Sequence, residues 1–361
     1  MIKTNNFDFL RLLFAILVIV THSHPLSGDK GWDLLGEISN GNLQFSYIAV
    51  KGFFIISGYL IFQSLLRSKN WIDYFWKRVL RLFPGLFVVL CLTILLAPFV
   101  YESPIFYLEN RKVYTYLIRN ITLFKLQYSI PGVFDSNVYG SAINGSLWTI
   151  CYEFSMYVLL SFLIFFRAKR MFLGLLLLFV YGLFFIFYFF LSTDFYFHIY
   201  DLNSTYLTEL GLFFFGGSLL GFFNYHSFRF INRIVFFSGI LIFVSELFFQ
   251  NLVVSRVLIW PFFIIGIGEK ATPLISQVGT RFGDLSYGIY IYGFPIQQTL
   301  MYFFDFNVIE LMVLSVPISM FLGYLSWHIV EKKVLRYKKA DPLCLIKLFV
   351  DKSLKYKRNV I

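Results

Sequence analysis

The stretch RLLFAILVIVTHSH, residues 11–24, places nine consecutive apolar residues between Arg11 and the polar triplet Thr21-His22-Ser23. A run of this kind reads as a helix in a membrane, where each residue adds about 1.5 Å along a hydrocarbon path of roughly 30 Å. The arginine and the histidine at its two ends are the anomaly. Apolar windows recur from end to end of the 361 residues, which are 58% hydrophobic, 22% aromatic and only 14% charged; a soluble domain carries about a quarter charged residues. The runs are continuous and do not alternate, which excludes a transmembrane barrel and leaves a helical bundle. The expected fold is all-α and polytopic.

Ten spans are expected, near 8–26, 46–66, 82–100, 146–166, 171–191, 207–223, 234–250, 252–268, 284–303 and 309–330. With the N-terminus inside, 24 of the 31 lysines and arginines fall in inner segments, which predicts that both termini are cytoplasmic. The net charge of +11 therefore reads as an orientation signal, with membrane lipids and not nucleic acid as the partner. A cleaved signal peptide is not expected, because no small-residue cleavage site follows THSHPLSG. Three cysteines, Cys91, Cys151 and Cys344, imply no disulfide framework. The chain divides into a membrane domain over 1–335 and a basic cytoplasmic tail over 336–361, read as lying along an anionic inner leaflet. The long outer loop at 101–145, with turn signals at Pro131-Gly132 and Asn144-Gly145, is expected to be ordered.

A charged group inside a membrane helix costs about 2.5–3.5 kcal/mol on insertion scales, so each one calls for a reason. Arg11 and His22 lie almost three turns apart, on one helix face and separated by about 16 Å along the axis. They mark the inner and outer ends of a polar track, unless Arg11 merely reaches inner phosphates and His22 the outer interface. His24 points elsewhere on the helix. Arg78 and Arg81, in WKRVLRLFPG, share a face at the inner entrance of the third span, where two guanidinium groups suit a polyanion. Glu153, in SLWTICYEFSMY, falls in the outer half near the depth of His22, placed to orient an imidazole or to serve as a buried ion-pair partner. Glu209, Glu246, Glu310 and Arg256 lie near span ends and read as interfacial. Asp284 and Tyr287 open the ninth span and are placed to line a ligand entrance, while His328 reads as structural. A metal site is not expected, since a helical i, i+2 histidine pair diverges.

Six stretches in order resemble the membrane acyltransferase-3 family, whose members O-acylate cell-surface glycans: FDFLRLLFAILVIVTHSH, VKGFFIISGYLI, RVLRLFP, SLWTICYEFSMY, LSYGIYIYGFPIQ and WHIVEKKV. The resemblance spans nearly the whole chain, and a fused extracytoplasmic hydrolase-like domain is not expected. Two positions depart from the pattern. Lys51 stands where an acidic residue is usual, and Gly293 where a histidine is usual.

The resemblance implies an O-acyltransferase of the bacterial inner membrane, with cytoplasmic acyl-CoA, most often acetyl-CoA, as donor and a glycan or lipid-linked sugar hydroxyl as acceptor. It assigns His22 as general base or transient acyl carrier, with Glu153 beside it, and Arg11, Arg78 and Arg81 to the phosphates of CoA. The acyl group, the acceptor and the oligomeric state stay open, a homo-oligomer included. The rival reading is a transporter or flippase of lipid-linked glycan, which also keeps charges on an internal track.

Overall fold

The computed structural model describes residues 5–123, 125–191, 196–197, 202–223, 229–249 and 252–340. Lys3 and most of the expected tail, residues 341–361 with Cys344, lie outside the described residues.

The described chain is helical almost throughout. Its helices are α1 (Phe7–Leu26), α2 (Leu34–Ile38), α3 (Phe45–Leu66), α4 (Trp71–Leu96), α5 (Arg111–Ile121), α6 (Trp148–Ser161) and α7 (Arg170–Phe189). They continue as α8 (Ser204–Phe223), α9 (Arg229–Phe248), α10 (Val253–Gly268), α11 (Val278–Phe282), α12 (Ser286–Phe303), α13 (Val308–Ser326) and α14 (Lys332–Val334). Among the described residues the only strands are β1 (Tyr196–Phe197) and β2 (Leu202–Asn203), an antiparallel pair.

Seven helical stretches are long and apolar enough to cross a membrane: Phe7–Leu26, Phe45–Leu66, Trp71–Val100, Gly145–Phe166, Arg170–Phe189, Ser204–Phe223 and Val308–Lys339. The other three expected spans coincide with α9, α10 and α12, which are helical but shorter or less apolar. One boundary differs from expectation. The helix carrying Arg78 and Arg81 starts at Trp71, eleven residues before the expected apolar boundary, because hydropathy marks where lipid ends and not where helix ends. Asn70 caps it, accepting from the Asp73 N–H at 2.8 Å.

The crossing of α3 and α8 sets the middle of the bundle. Gly58 and Gly217 let the two backbones touch: a Cβ at Gly58 would overlap the Phe214 carbonyl, and one at Gly217 the Ile55 carbonyl. Small residues serve this purpose at helix contacts in lipid. The Ser218 hydroxyl donates to the Gly58 carbonyl at 3.1 Å and fixes the register. Gly58→Val is expected to cost about 3 kcal/mol by overpacking, read as a lower thermal midpoint of the purified protein.

The loop at 101–145, in its described residues, forms a helix and hydrogen-bonded turns and sits at the end of the bundle where α1 finishes. Asn120 and Gln127 close it with reciprocal 3.0 Å bonds between side chain and backbone. It is tied to α12 by Asn137 donating to Gln298, by Gln298 donating to the Gly140 and Ala142 carbonyls, and by Asn144 donating to the Ile291 carbonyl.

The expectation that Glu209, Glu246 and Arg256 are interfacial is corrected by the packing. All three are buried, and they form one network with Lys51. Lys51 pairs with Glu209 at 3.3 Å, Arg256 with Glu246 at 3.4 Å, and Tyr47 donates to Glu209 at 2.9 Å. Position along a chain gives depth but not the direction a side chain faces, and these face inward because opposite charges meet there. Glu310 alone remains exposed, in a reciprocal capping box with Asn307 at the start of α13.

Candidate active site

A cavity of about 390 Å³ opens between α1, α3, α4, α6 and α12. On α3 its lining runs from Val50 to Arg67, a path of about 25 Å at the helical rise. Arg11, Arg78, Arg81, Glu153, Asp284 and Tyr287 all line it, so four of the five site residues expected from sequence meet in one space.

At one end the arginines divide into two kinds. Arg11 donates to Asp284 at 2.7 Å, and Arg81 donates to the same carboxylate oxygen at 2.6 Å and to Glu331 at 3.2 Å. Asp284 is held in turn by the Ser286 hydroxyl at 2.7 Å. Glu331 reaches this cluster because Trp327–Glu331 forms a widened π-type turn, which brings residues five apart together. The Ser326 hydroxyl thus donates to Glu331 at 2.9 Å, and that carboxylate is only 1% exposed. Arg81 also lies over the rings of Tyr287 and Trp327, at 5.8 and 5.6 Å.

Arg78 is different. It is 5% exposed, donates to the Ser64 hydroxyl at 2.9 Å and lies over the Tyr74 and Tyr157 rings, but its Nε is buried without a partner. Among the described residues no carboxylate forms an ion pair with it. The paired grip expected of Arg78 and Arg81 is therefore split, because neighbours on one helix face meet different elements: α3 for Arg78, the segments around Asp284 and Glu331 for Arg81.

Glu153 sits mid-cavity on α6. Its Oε1 accepts from Ser57 at 2.6 Å and from Tyr157 at 2.5 Å, and the two hydroxyls are 3.1 Å apart. The expected partnership with His22 is absent among the described residues. The carboxylate points along α3 to Ser57, since Ser57 lies across the α3–α6 contact and His22 lies farther along α1.

His22 lies beyond the cavity. The Ser46 N–H donates to Thr21 Oγ1 at 3.0 Å, which sets His22 level with the first turn of α3, about one turn past Val50. Its imidazole packs edge-on to Phe294 at 5.5 Å, and Phe294 in turn meets Tyr139 of the long loop at 5.7 Å. Phe294 is one turn along α12 from the cavity-lining Tyr290, whose hydroxyl contacts Thr149 at 2.6 Å. Among the described residues the imidazole makes no hydrogen bond. Thr21 itself donates to the buried Asp33, which also accepts from the Phe45 and Gly36 N–H groups and so ties the end of α1 to the start of α3.

His24, as expected, faces elsewhere. It meets Asp29 at 2.7 Å, and this hydrogen bond, joined by the Gly31 N–H, holds the exposed Asp29 carboxyl below its usual range. His328 contacts the Phe282 carbonyl at 3.1 Å, in keeping with a structural role. Among the described residues no three histidines, cysteines or carboxylates gather as a metal site.

A family model described as an acyltransferase domain, that of the acyltransferase-3 family, matches residues 4–328. The chain belongs to the acyltransferase-3 family. An O-acetyl transferase of Shigella phage Sf6 is 31% identical over 339 residues, covering 92% of this chain and 96% of the relative. Nodulation protein 10 of Rhizobium leguminosarum bv. viciae is 33% identical over 169 residues, 44% of each chain. No solved structure gives a significant match. This acyltransferase-3 chain is an O-acyltransferase, and its multi-pass membrane character follows from its helices.

Several residues of the acyltransferase's site escaped the sequence reading: Ser64, Tyr157 and Lys338, which line the cavity, and Glu331, which pairs with Arg81 in its wall. Tyr157 was legible in principle, one turn after Glu153 on the same helix face. Glu331 was hidden by its basic neighbours Lys332 and Lys333, which suggest a solvated end. At position 293, Ile19 occupies the space a larger residue would need: a Cβ there would lie 2.8 Å from Ile19 Cγ1. The departure from the usual histidine is thus matched by packing on α1.

Proposed function

We propose that this O-acyltransferase takes an acyl group, acetyl above all, from acyl-CoA at the arginine-lined end of the cavity and delivers it to a glycan hydroxyl at the His22 end. The observation that carries the reading is Arg78, a buried cation that forms no ion pair among the described residues and lines a long internal cavity. Such a charge is costly unless an anion meets it, and the phosphates of CoA are that anion. Arg11 and Arg81, paired with Asp284 and Glu331, hold the wall at the same end. The transporter reading lacks a comparable reason for this charge, and it is disfavoured by the family.

The narrow cavity suits an extended pantetheine arm lying along α3 past Ser57 and Glu153 towards His22. In the transfer the thioester C–S bond breaks and an ester C–O bond forms. The acceptor hydroxyl gives up its proton, and the departing thiolate of CoA gains one. His22 meets the acceptor, either as general base on the hydroxyl or as a carrier that holds the acyl group on a ring nitrogen. Either role uses an unprotonated ring nitrogen, which can accept a proton or an acyl group. Glu153, braced by Ser57 and Tyr157, positions the reacting end of the donor, and the loop at 101–145 forms part of the acceptor site through Tyr139 and Phe294. The acyltransferase family and the O-acetyl transferase relative support acyl transfer; in this reading the termini lie in the cytoplasm of a bacterial inner membrane, with about ten spans.

The test follows radiolabel from acetyl-CoA into the producing cell's own glycan, in membranes holding matched amounts of wild-type protein and of Glu153→Gln. Wild type is expected to transfer label, and the variant to be slower by about a hundredfold, the size typical of losing one positioned catalytic group. Wild-type membranes that bind no CoA and transfer no label would contradict the proposal.

A further inference from the structure

The cations around the cavity do not all do the same work. Six line it: Arg11, Arg67, Lys77, Arg78, Arg81 and Lys338. Three are neutralised locally, Arg11 and Arg81 by Asp284 and Glu331, and Lys77 by Asp73 at 2.7 Å. Among the described residues Arg67, Arg78 and Lys338 form no ion pair. Lys338 also feels the like charges of Arg78, Lys77, Arg81 and Arg67 at once, an arrangement that repels itself until an anion enters.

Lys338 comes from an unexpected place. It belongs to the short helical turn Leu335–Lys339, which follows the π-type turn and α14 and brings Leu335 and Lys338 back over the cavity mouth. Trp76 Nε1 donates to the Tyr337 carbonyl at 3.0 Å and pins this turn to α4, one residue from Lys338.

We infer that Lys338 and Arg67 form the subsite for the 3′-phosphate of CoA, with Arg78 behind them for the pyrophosphate, while Arg11 and Arg81 hold the wall and touch neither. The inference rests on the acyl-CoA reading above. The order follows from the donor's own structure: the thiol end enters first, so the pyrophosphate comes next and the 3′-phosphate stays nearest the mouth. Lys338 and Arg67 are exposed there, and Arg78 is buried deeper. The segment that carries the basic tail thus contributes to donor recognition.

The experiment measures binding of CoA and of dephospho-CoA, which lacks only the 3′-phosphate, to the full chain in lipid nanodiscs. Three proteins are compared: wild type, Lys338→Gln, and Arg336→Gln as a control two residues away that does not line the cavity. Wild type and Arg336→Gln are expected to prefer CoA by about tenfold, the weight of one charge-assisted contact. Lys338→Gln is expected to bring that ratio close to one while leaving dephospho-CoA binding unchanged, which also shows that the variant is folded. An undiminished preference in Lys338→Gln, or none in wild type, overturns the subsite while the acyl-CoA reading stands. Wild type that binds neither nucleotide removes the acyl-CoA reading and the subsite with it.

Discussion

His22→Ala is expected to lower acyl transfer by about a thousandfold while the protein stays folded, within the range for loss of a general base. The two halves of that expectation have separate grounds. His22 lies at the far end of the polar track, level with the start of α3 and beside the loop that closes that end. Its structural duties are light: it makes no hydrogen bond among the described residues and touches Phe294 edge-on. The neighbours Thr21 and Ser23 carry the local bonding instead, Thr21 to Asp33, and Ser23 to the Ile19 carbonyl and to Gln297. Removing the imidazole therefore leaves α1 anchored. A normal melting curve with lost transfer is the predicted pair of results, and a variant that melts normally and transfers at the wild-type rate would remove His22 from the mechanism.

Asp284→Ala carries the largest expected effect on stability. One carboxylate accepts from two guanidinium groups on different helices, Arg11 on α1 and Arg81 on α4. Deleting it leaves both cations facing each other in a poorly solvated space, with Glu331 able to serve only Arg81. Breaking a buried ion pair from one side costs about 3–5 kcal/mol, and the side chains here, 15–21% exposed, place the effect near the lower end of that range. Asp284→Asn keeps an acceptor oxygen and is expected to lose less. Thermal unfolding in detergent checks the order, wild type above Asn above Ala; equal midpoints would show that Arg11 and Arg81 do not depend on this residue.

The helices were legible because the bilayer imposes a long, continuous apolar run wherever a span exists, and all ten expected segments contain helix. The Arg11 to His22 spacing was legible for the same reason, since helical geometry converts sequence distance into depth. Electrostatic partnership was not. Arg11 and Asp284 are 273 positions apart, Arg81 and Glu331 are 250 apart, and no local rule joins them. Glu153 illustrates the limit within one site: span four places it near the depth of His22, but it lies level with Ser57, eleven residues along α3 from the Ser46 that marks His22, and its direction depends on Ser57 and Tyr157. Glu209 and Arg256 show the converse, charges near span ends that turn inward because Lys51 and Glu246 await them. The tail's Lys338 needed the π-type turn to be known before its return over the cavity was apparent.

The central claim is that donor and acceptor meet the protein at opposite ends of the bundle. Sealed vesicles of one known orientation, given labelled acetyl-CoA outside and glycan acceptor only within, test it most directly when compared with vesicles of the reverse orientation. The account predicts labelled glycan inside only those vesicles whose Arg78 end faces the donor. Labelled glycan formed only when both substrates are on the same side, in either orientation, would contradict it.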